Sequence, residues 1–292
     1  MHDSKVTAAE LRTFWNGTLE RAAREPLDVQ VEPVKQPLPF YKHRITYRSL
    51  DGINVRAYLG LPIEGERPAR RLPAIVTAPG YGGWEFGTEL SECQRGYVVL
   101  QVYPRSQGES GELWKVEPSA DQAWVNHGKH NPEGFYYQGA FVDMIRGIDY
   151  LLSRPDVDPA RIGLMGTSQG GGIVLSVGAL DPRVKAVVAH VTYLCDFRHN
   201  SSLASCPELI NDPVFLDTFD YFDPVNLAPW LKAPTLISSG GKDKTCPADA
   251  IRAVFDKVAG IKSLAHYPDL THTSCGDFYE MSWEWMAHYL KQ

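Results

Sequence analysis

The stretch at residues 161–180, RIGLMGTSQGGGIVLSVGAL, is the one whose reading decides the fold. RIGLM is a short apolar run of strand type, Gly166-Thr167-Ser168-Gln169-Gly170 matches the pattern G-x-S-x-G, and GGGIVLSVGAL reads as a helix. So short a pattern arises by chance; the strand before it and the helix after it give it weight. Glycines flank the serine because a sharp strand-to-helix turn brings the neighbouring backbone too close for side chains. The turn lifts the Ser168 hydroxyl clear of the chain, at the N-terminus of a helix whose dipole favours developing negative charge. The alternative reading is an inert serine in a glycine-rich turn.

Around this segment, PAIVTAP (73–79), YVVLQVYP (97–104), VKAVVAHV (184–191) and PTLISSG (234–240) are further short runs of β-branched and apolar residues. Most lie between helical segments, and continuous apolar strands covered on both faces are the mark of a parallel sheet. The expected fold class is therefore α/β, a mostly parallel central sheet with helices on both faces. Upstream, KHRITYRS and VRAYLGLP, separated by the turn signal LDGIN, read as two antiparallel strands. Helices are expected over 139–154, 248–260 and 276–291, and over 7–25, where Thr7 is a candidate N-cap with Glu10 three residues later. The stretch from Pro26 to Pro39 carries four prolines and is expected to run as an extended arm. Residues 194–231, rich in aromatics and prolines, interrupt the alternation and are read as a small helical, lid-like insertion. The organisation expected is one domain over 1–292, with residues 1–40 as an N-terminal helix and arm.

The chain has 292 residues, 43% hydrophobic and 22% charged, the composition of a globular protein. Its 29 Lys and Arg against 35 Asp and Glu include no basic cluster, so nucleic acid is not an expected partner. No apolar run approaches the roughly 20 residues that cross a bilayer, and the N-terminus shows no apolar stretch of signal-peptide type. The expectation is a cytoplasmic protein with no membrane partner. The five cysteines, Cys93, Cys195, Cys206, Cys246 and Cys275, are odd in number, widely spaced and form no C-x-x-C pair, which argues against structural zinc and for buried reduced thiols. No metal site is expected.

A serine is a poor nucleophile near neutral pH unless a base takes its proton and an acid orients that base. After a serine elbow the partners follow in the order Ser, acid, His. Asp243 comes just beyond the strand PTLISSG, at the carboxyl end where catalytic groups of parallel sheets collect. His272 stands in the loop PDLTHTSCG before the final helix. Asp220, Asp223, Asp269 and Asp277 compete as acids, and His190, His266 and His288 as bases; Asp243 also admits a reading as a turn or helix-cap residue. An acyl-transfer site needs two backbone donors for the oxyanion. The Gln169 amide, following the nucleophile, is one candidate, and the Tyr81 amide, in the glycine-rich loop Ala78–Gly83, is the other. No G-K-[ST] follows that loop, so it does not read as a phosphate cradle.

The stretches DPARIGLMGTSQGGG, YLCDFRHN, GGKDKTCP, FWNGTLERA and YPRSQGESG resemble the acetyl xylan esterase and cephalosporin-C deacetylase family, carbohydrate esterase family seven. The resemblance spans nearly the whole chain. It implies an α/β-hydrolase serine esterase without cofactor, acting on small acyl esters such as acetylated sugars, and a homo-oligomer, commonly a hexamer. It also implies Ser168 as nucleophile, Asp243 as acid, His272 as base, and the Tyr81 and Gln169 amides as oxyanion hole. The family's Arg-Gly-Gln element corresponds to Arg105-Ser106-Gln107, which makes Arg105 and Gln107 supporting residues. Its His-Glu ending is here His272-Thr273. Thr192 stands where the family has a proline bordering the acyl pocket and is the acyl-pocket candidate. Rival readings keep the triad in a broad carboxylesterase or peptidase, or retain the scaffold as a ligand receptor. Of the aromatics expected near the site (Tyr81, Trp84, Trp114, Trp124, Tyr136, Tyr137, Tyr193, Phe197), most are expected to be core.

Overall fold

In the computed structural model, residues 4–63, 71–82, 88–115, 124–199, 209 and 211–291 are described. The chain opens with α1 (Ala8–Arg24), which starts where the sequence predicts. The Thr7 hydroxyl accepts from the Glu10 N–H and the Glu10 carboxylate accepts from the Thr7 N–H, so two donors left without intrahelical partners are satisfied reciprocally.

The proline-rich arm departs from the expected plain extended segment, because its residues Gln30–Pro33 form β1, an exposed edge strand antiparallel to β2 (Tyr41–Arg48). Proline is tolerated there because Pro33 ends the strand and an edge can spare a donor. β2 pairs in turn with β3 (Asn54–Leu61) across the turn foreseen at LDGIN, where Asp51 and Gly52 both take positive φ. Then follow β4 (Leu72–Ala78), α2 (Thr88–Ser91), β5 (Val98–Tyr103), α3 (Ser110–Leu113), α4 (Tyr136–Leu152), β6 (Val157–Thr167), α5 (Gln169–Leu180) and β7 (Val184–His190). The last part comprises α6 (Pro213–Phe219), α7 (Pro224–Leu227), β8 (Thr235–Gly240), α8 (Ala248–Lys257), β9 (Lys262–Tyr267) and α9 (Gly276–Leu290).

The nine strands make one sheet in the order β1-β2-β3-β5-β4-β6-β7-β8-β9. β1, β2 and β3 run antiparallel, and every pairing from β5 through β4 to β9 is parallel. On one face the sheet packs against α4, α5 and α8, with α1 behind them through Trp15. The other face is covered by α9 and α2 through Phe278, Trp283, Met286, Leu290 and Leu90. β4, β5 and β8 are buried along their whole length, as strands covered on both faces are.

Within the 194–231 segment, Asp212 and Asp223 cap α6 and α7, each followed by proline at the first helical position. Phe215 and Phe219 are buried against Phe135, and Phe219 stacks on Phe197 at 4.2 Å, so this segment is rooted in the main core. Residues 200–208 and 210 of the expected insertion lie outside the described residues. Among the described residues, no helix is long and apolar enough to cross a membrane.

Candidate active site

Three loops at the carboxyl ends of β6, β8 and β9 converge on Ser168. At the first, β6 turns into α5 with Ser168 at φ 55° and ψ −117°, a conformation costly for a residue with a side chain. A Cβ at Gly166 would collide with the Gly170 carbonyl, and one at Gly170 with the carbonyls of Ala78 and Pro79, so both flanking glycines are demanded by close approach. The Ser168 N–H donates to the His190 carbonyl at 2.8 Å, and the Ser168 carbonyl accepts from the Tyr193 N–H at 2.9 Å. These bonds tie the elbow to the end of β7.

The second loop brings Asp243, whose side chain is fully buried. Its Oδ1 accepts from the Thr245 and Cys246 N–H groups, both at 2.8 Å, and its Oδ2 lies 2.8 Å from His272 Nδ1. From the third loop, His272 Nε2 lies 2.9 Å from Ser168 Oγ. A carboxylate only accepts, so His272 Nδ1 carries the hydrogen and Nε2 presents its lone pair to the serine hydroxyl. The His272 side chain is 30% exposed, whereas the Asp243 side chain is sealed from solvent.

Cys246 is the residue of this centre that the sequence reading set aside. It is buried; burial pushes its pKa far up, Asp243 adds to the rise, and Ser168 opposes it. The available signal was its position three residues after Asp243 in the same loop. Asp243, Cys246 and His272 offer oxygen, sulfur and nitrogen within 4.8 Å of one another, a donor set with metal-ligand chemistry. Here both Asp243 oxygens and both His272 nitrogens are already committed to hydrogen bonds, which is the arrangement of a proton relay.

Opposite, the loop after β4 packs its Ala78 and Pro79 carbonyls on Gly170, and Gly80 lies over Ser168. Tyr81 follows in a turn, its side chain exposed, and Gln169 opens α5, where N–H groups lack intrahelical acceptors. The Gln169 side chain is fixed by the Tyr137 hydroxyl at 2.9 Å.

With this geometry in hand, comparison with known proteins is direct: a family model described as acetyl xylan esterase matches residues 2–289. The chain belongs to the acetyl xylan esterase family. It is similar to the acetyl esterase Axe7A of Xylanibacter ruminicola, 25% identical over an alignment of 295 residues that covers 92% of this chain and 65% of that protein. It thus spans just under two thirds of that relative's length. Among solved structures it is similar to the acetyl xylan esterase from Paenibacillus sp. R4, with a TM-score of 0.87 and 27% identity over 99% of this chain and 96% of that one. The acetyl xylan esterase 1 from Thermoanaerobacterium sp. JW/SL YS485 shares the fold, with a TM-score of 0.85 at 21% identity over 96% of this chain and 93% of that one. The architecture is that of the α/β-hydrolases.

In this member of the acetyl xylan esterase family, Arg105 and Gln107 lie beside the loop that follows β4. The Arg105 backbone N–H, Nε and a terminal nitrogen all donate to the Asp143 carboxylate, at 2.8, 3.0 and 2.8 Å. Gln107 Nε2 donates to the Tyr136 hydroxyl, which donates to the Arg105 carbonyl. The Gly108 N–H then donates to the Gly82 carbonyl, joining this loop to the one that carries Tyr81. Ser106 takes φ 63°, the left-handed region that favours glycine.

Thr192 is 1% exposed, with its side chain packed where a Cβ at Gly171 would meet it at 3.1 Å, and its hydroxyl has no hydrogen-bond partner among the described residues. The competing acids are occupied elsewhere: Asp269 pairs with Lys242, Asp277 accepts from Tyr267, Asp220 holds Arg198, and Asp223 caps α7. His266 contacts Ser239, and His288 packs against Tyr289. Of the aromatics, Tyr136, Tyr137 and Phe197 are buried and Tyr81 is exposed; Trp84 and the Trp124 side chain lie outside the described residues. Cys93, Cys195 and Cys246 are buried and Cys275 is half-buried, while Cys206 lies outside the described residues.

Burial lowers the pKa of His190 from 6.5 to about 4. The unfolded chain therefore takes up this proton first, so stability is full above the unfolded value and is lost as pH falls from 6.5 toward 4. The loss expected by pH 4 is about 3 kcal/mol. Urea unfolding at pH 7 and pH 4.5 checks it, since His190→Gln is expected to show a smaller pH-dependent loss.

Proposed function

We propose that this chain is a carboxylic ester hydrolase that removes short acyl groups, acetyl first among them, from carbohydrates or related small molecules. The observation that carries the reading is the Ser168, His272 and Asp243 hydrogen-bond chain, 2.9 and 2.8 Å long, set at the carboxyl ends of parallel strands in a member of the acetyl xylan esterase family.

In the first step His272 Nε2 takes the Ser168 proton as Oγ attacks the acyl carbonyl. The Tyr81 and Gln169 amides receive the negative charge that develops on the carbonyl oxygen. Asp243 holds the imidazole in the Nδ1–H tautomer and stabilises the imidazolium, which returns its proton to the leaving alcohol as the carbon–oxygen bond breaks. Water then adds to the acyl-enzyme with the same proton path, releasing the acid and restoring Ser168. No cofactor enters this scheme. Residues 1–292 act in this reading as one catalytic domain, and the family resemblance carries the expectation of a homo-oligomer.

Acetyl, propionyl, butyryl and feruloyl esters assayed beside acetylated xylo-oligosaccharides test the proposal. The acetyl esters are expected to give the highest kcat/KM, with xylo-oligosaccharides deacetylated over many turnovers. A clear preference for longer acyl chains overturns the deacetylase assignment and leaves an esterase; Thr192→Pro in the same panel reads whether position 192 sets that choice.

A further inference from the structure

The side chain of His190 makes contacts that the reaction scheme leaves unused. His190 ends β7 beneath the elbow. Its Nδ1 lies 2.7 Å from Ser274 Oγ, two residues beyond His272, and its Nε2 lies 3.2 Å from Ser282 Oγ on α9. The Phe278 ring stands edge-on to the imidazole at 4.5 Å. The hydrogen positions follow from the donors. Ser282 Oγ donates its hydrogen to the Phe278 carbonyl at 2.6 Å, so toward His190 it accepts, and Nε2 carries the imidazole hydrogen. Nδ1 is then a lone pair, and the Ser274 hydroxyl donates to it. The lowered pKa that burial gives His190 keeps this neutral tautomer in place at ordinary pH.

The loop that Ser274 anchors has open space beside it. A cavity of about 420 Å³ is lined by Pro79, Gly80, Thr167, His190, His272 and Ser274, between the oxyanion loop and the histidine loop. On that side the position of His272 depends on directed bonds more than on close packing. One of them comes from a buried imidazole whose own backbone carbonyl holds the Ser168 N–H.

We infer that His190 is a positioning residue, holding the His272 loop in register with Ser168 through the Ser274 hydroxyl, an inference that rests on the ester-hydrolase reading above. One residue thereby references both reacting groups to the end of β7: its carbonyl places the nucleophile and its Nδ1 places the base.

Three variants test this: Ser274→Ala, His190→Leu and the two combined. Ser274→Ala is expected to lower kcat on p-nitrophenyl acetate by about 10- to 100-fold with KM within about twofold, because a base displaced by ~1 Å loses that much. The rate of fluorophosphonate labelling of Ser168 is expected to fall by the same factor. The double variant is expected to lose no more than His190→Leu alone, because both changes remove one interaction. His190→Asn, whose Oδ1 can accept from Ser274, is expected to recover most of the rate. A folded Ser274→Ala enzyme with unchanged kcat and labelling rate overturns the role, as do multiplied effects in the double variant. If His190→Leu fails to fold, the Ser274→Ala result decides alone. A wild-type chain that labels at Ser168 but turns over no ester overturns the hydrolase reading by itself, and the labelling rates of wild type and Ser274→Ala still decide the positioning role.

Discussion

Ser168→Ala is expected to lower kcat on p-nitrophenyl acetate by about 10⁴-fold or more, with the protein folded and its thermal transition nearly unchanged. The elbow is set by glycine contacts and by backbone bonds to His190 and Tyr193, none of which involves the hydroxyl. Removing Oγ therefore deletes the proposed nucleophile and leaves the proposed oxyanion donors and the strained turn in place. His272→Ala is expected to cost a similar factor, and the double variant little more, because the two act as one unit. Steady-state rates on active-site-titrated enzyme provide the measurement. An undiminished rate in Ser168→Ala overturns the acyl-enzyme scheme.

Arg105→Ala is expected to cost about 3 to 5 kcal/mol of folding stability, read by urea or guanidinium unfolding, because it strands a buried carboxylate. Asp143 is fully buried, and Arg105 is its paired cation; burial opposes the guanidinium's charge, and Asp143 more than restores it. The other partners are few: Ser49 Oγ donates to Asp143 Oδ1 at 2.6 Å, and the Arg105 backbone N–H donates to Oδ2. Arg105→Lys is expected to recover only part of the loss, since an ammonium cannot reproduce the fork that engages both carboxylate oxygens and the Leu50 carbonyl. The space is tight as well, for a Cβ at Gly139 would run into the guanidinium. A stability loss under about 1 kcal/mol in Arg105→Ala overturns this account.

Local patterns carried much of this molecule. The apolar runs at 73–79, 97–104, 184–191 and 234–240 became β4, β5, β7 and β8, and Thr7 with Glu10 marked the start of α1 within a residue. The motif order placed Ser168, Asp243 and His272 on adjoining loops because strand ends in a parallel sheet share one edge. What escaped the sequence depends on partners distant along the chain. β1 forms only because β2 offers Arg44, Ile45 and Thr46 as ladder partners to a segment whose prolines point to an extended arm and to no particular partner strand. Cys246 looks like any small core residue until the fold sets its thiol within 4.8 Å of Asp243 and His272. His190 reads as a buried strand-end histidine, and its link to Ser274 spans 84 residues, a relation that no local spacing encodes.

The placement of Ser168, Asp243 and His272, the proposed triad, across the sheet has a kinetic consequence. Ser168 leaves β6, a central strand, whereas His272 follows β9, the half-exposed strand at the sheet margin, and Asp243 follows its neighbour β8. Strands at a margin open locally at lower free energy than the interior. Under mild denaturant, inactivation should therefore run ahead of global unfolding, so that enzymatic turnover serves as a gauge of the β8–β9 margin while spectroscopic signals still report an intact sheet.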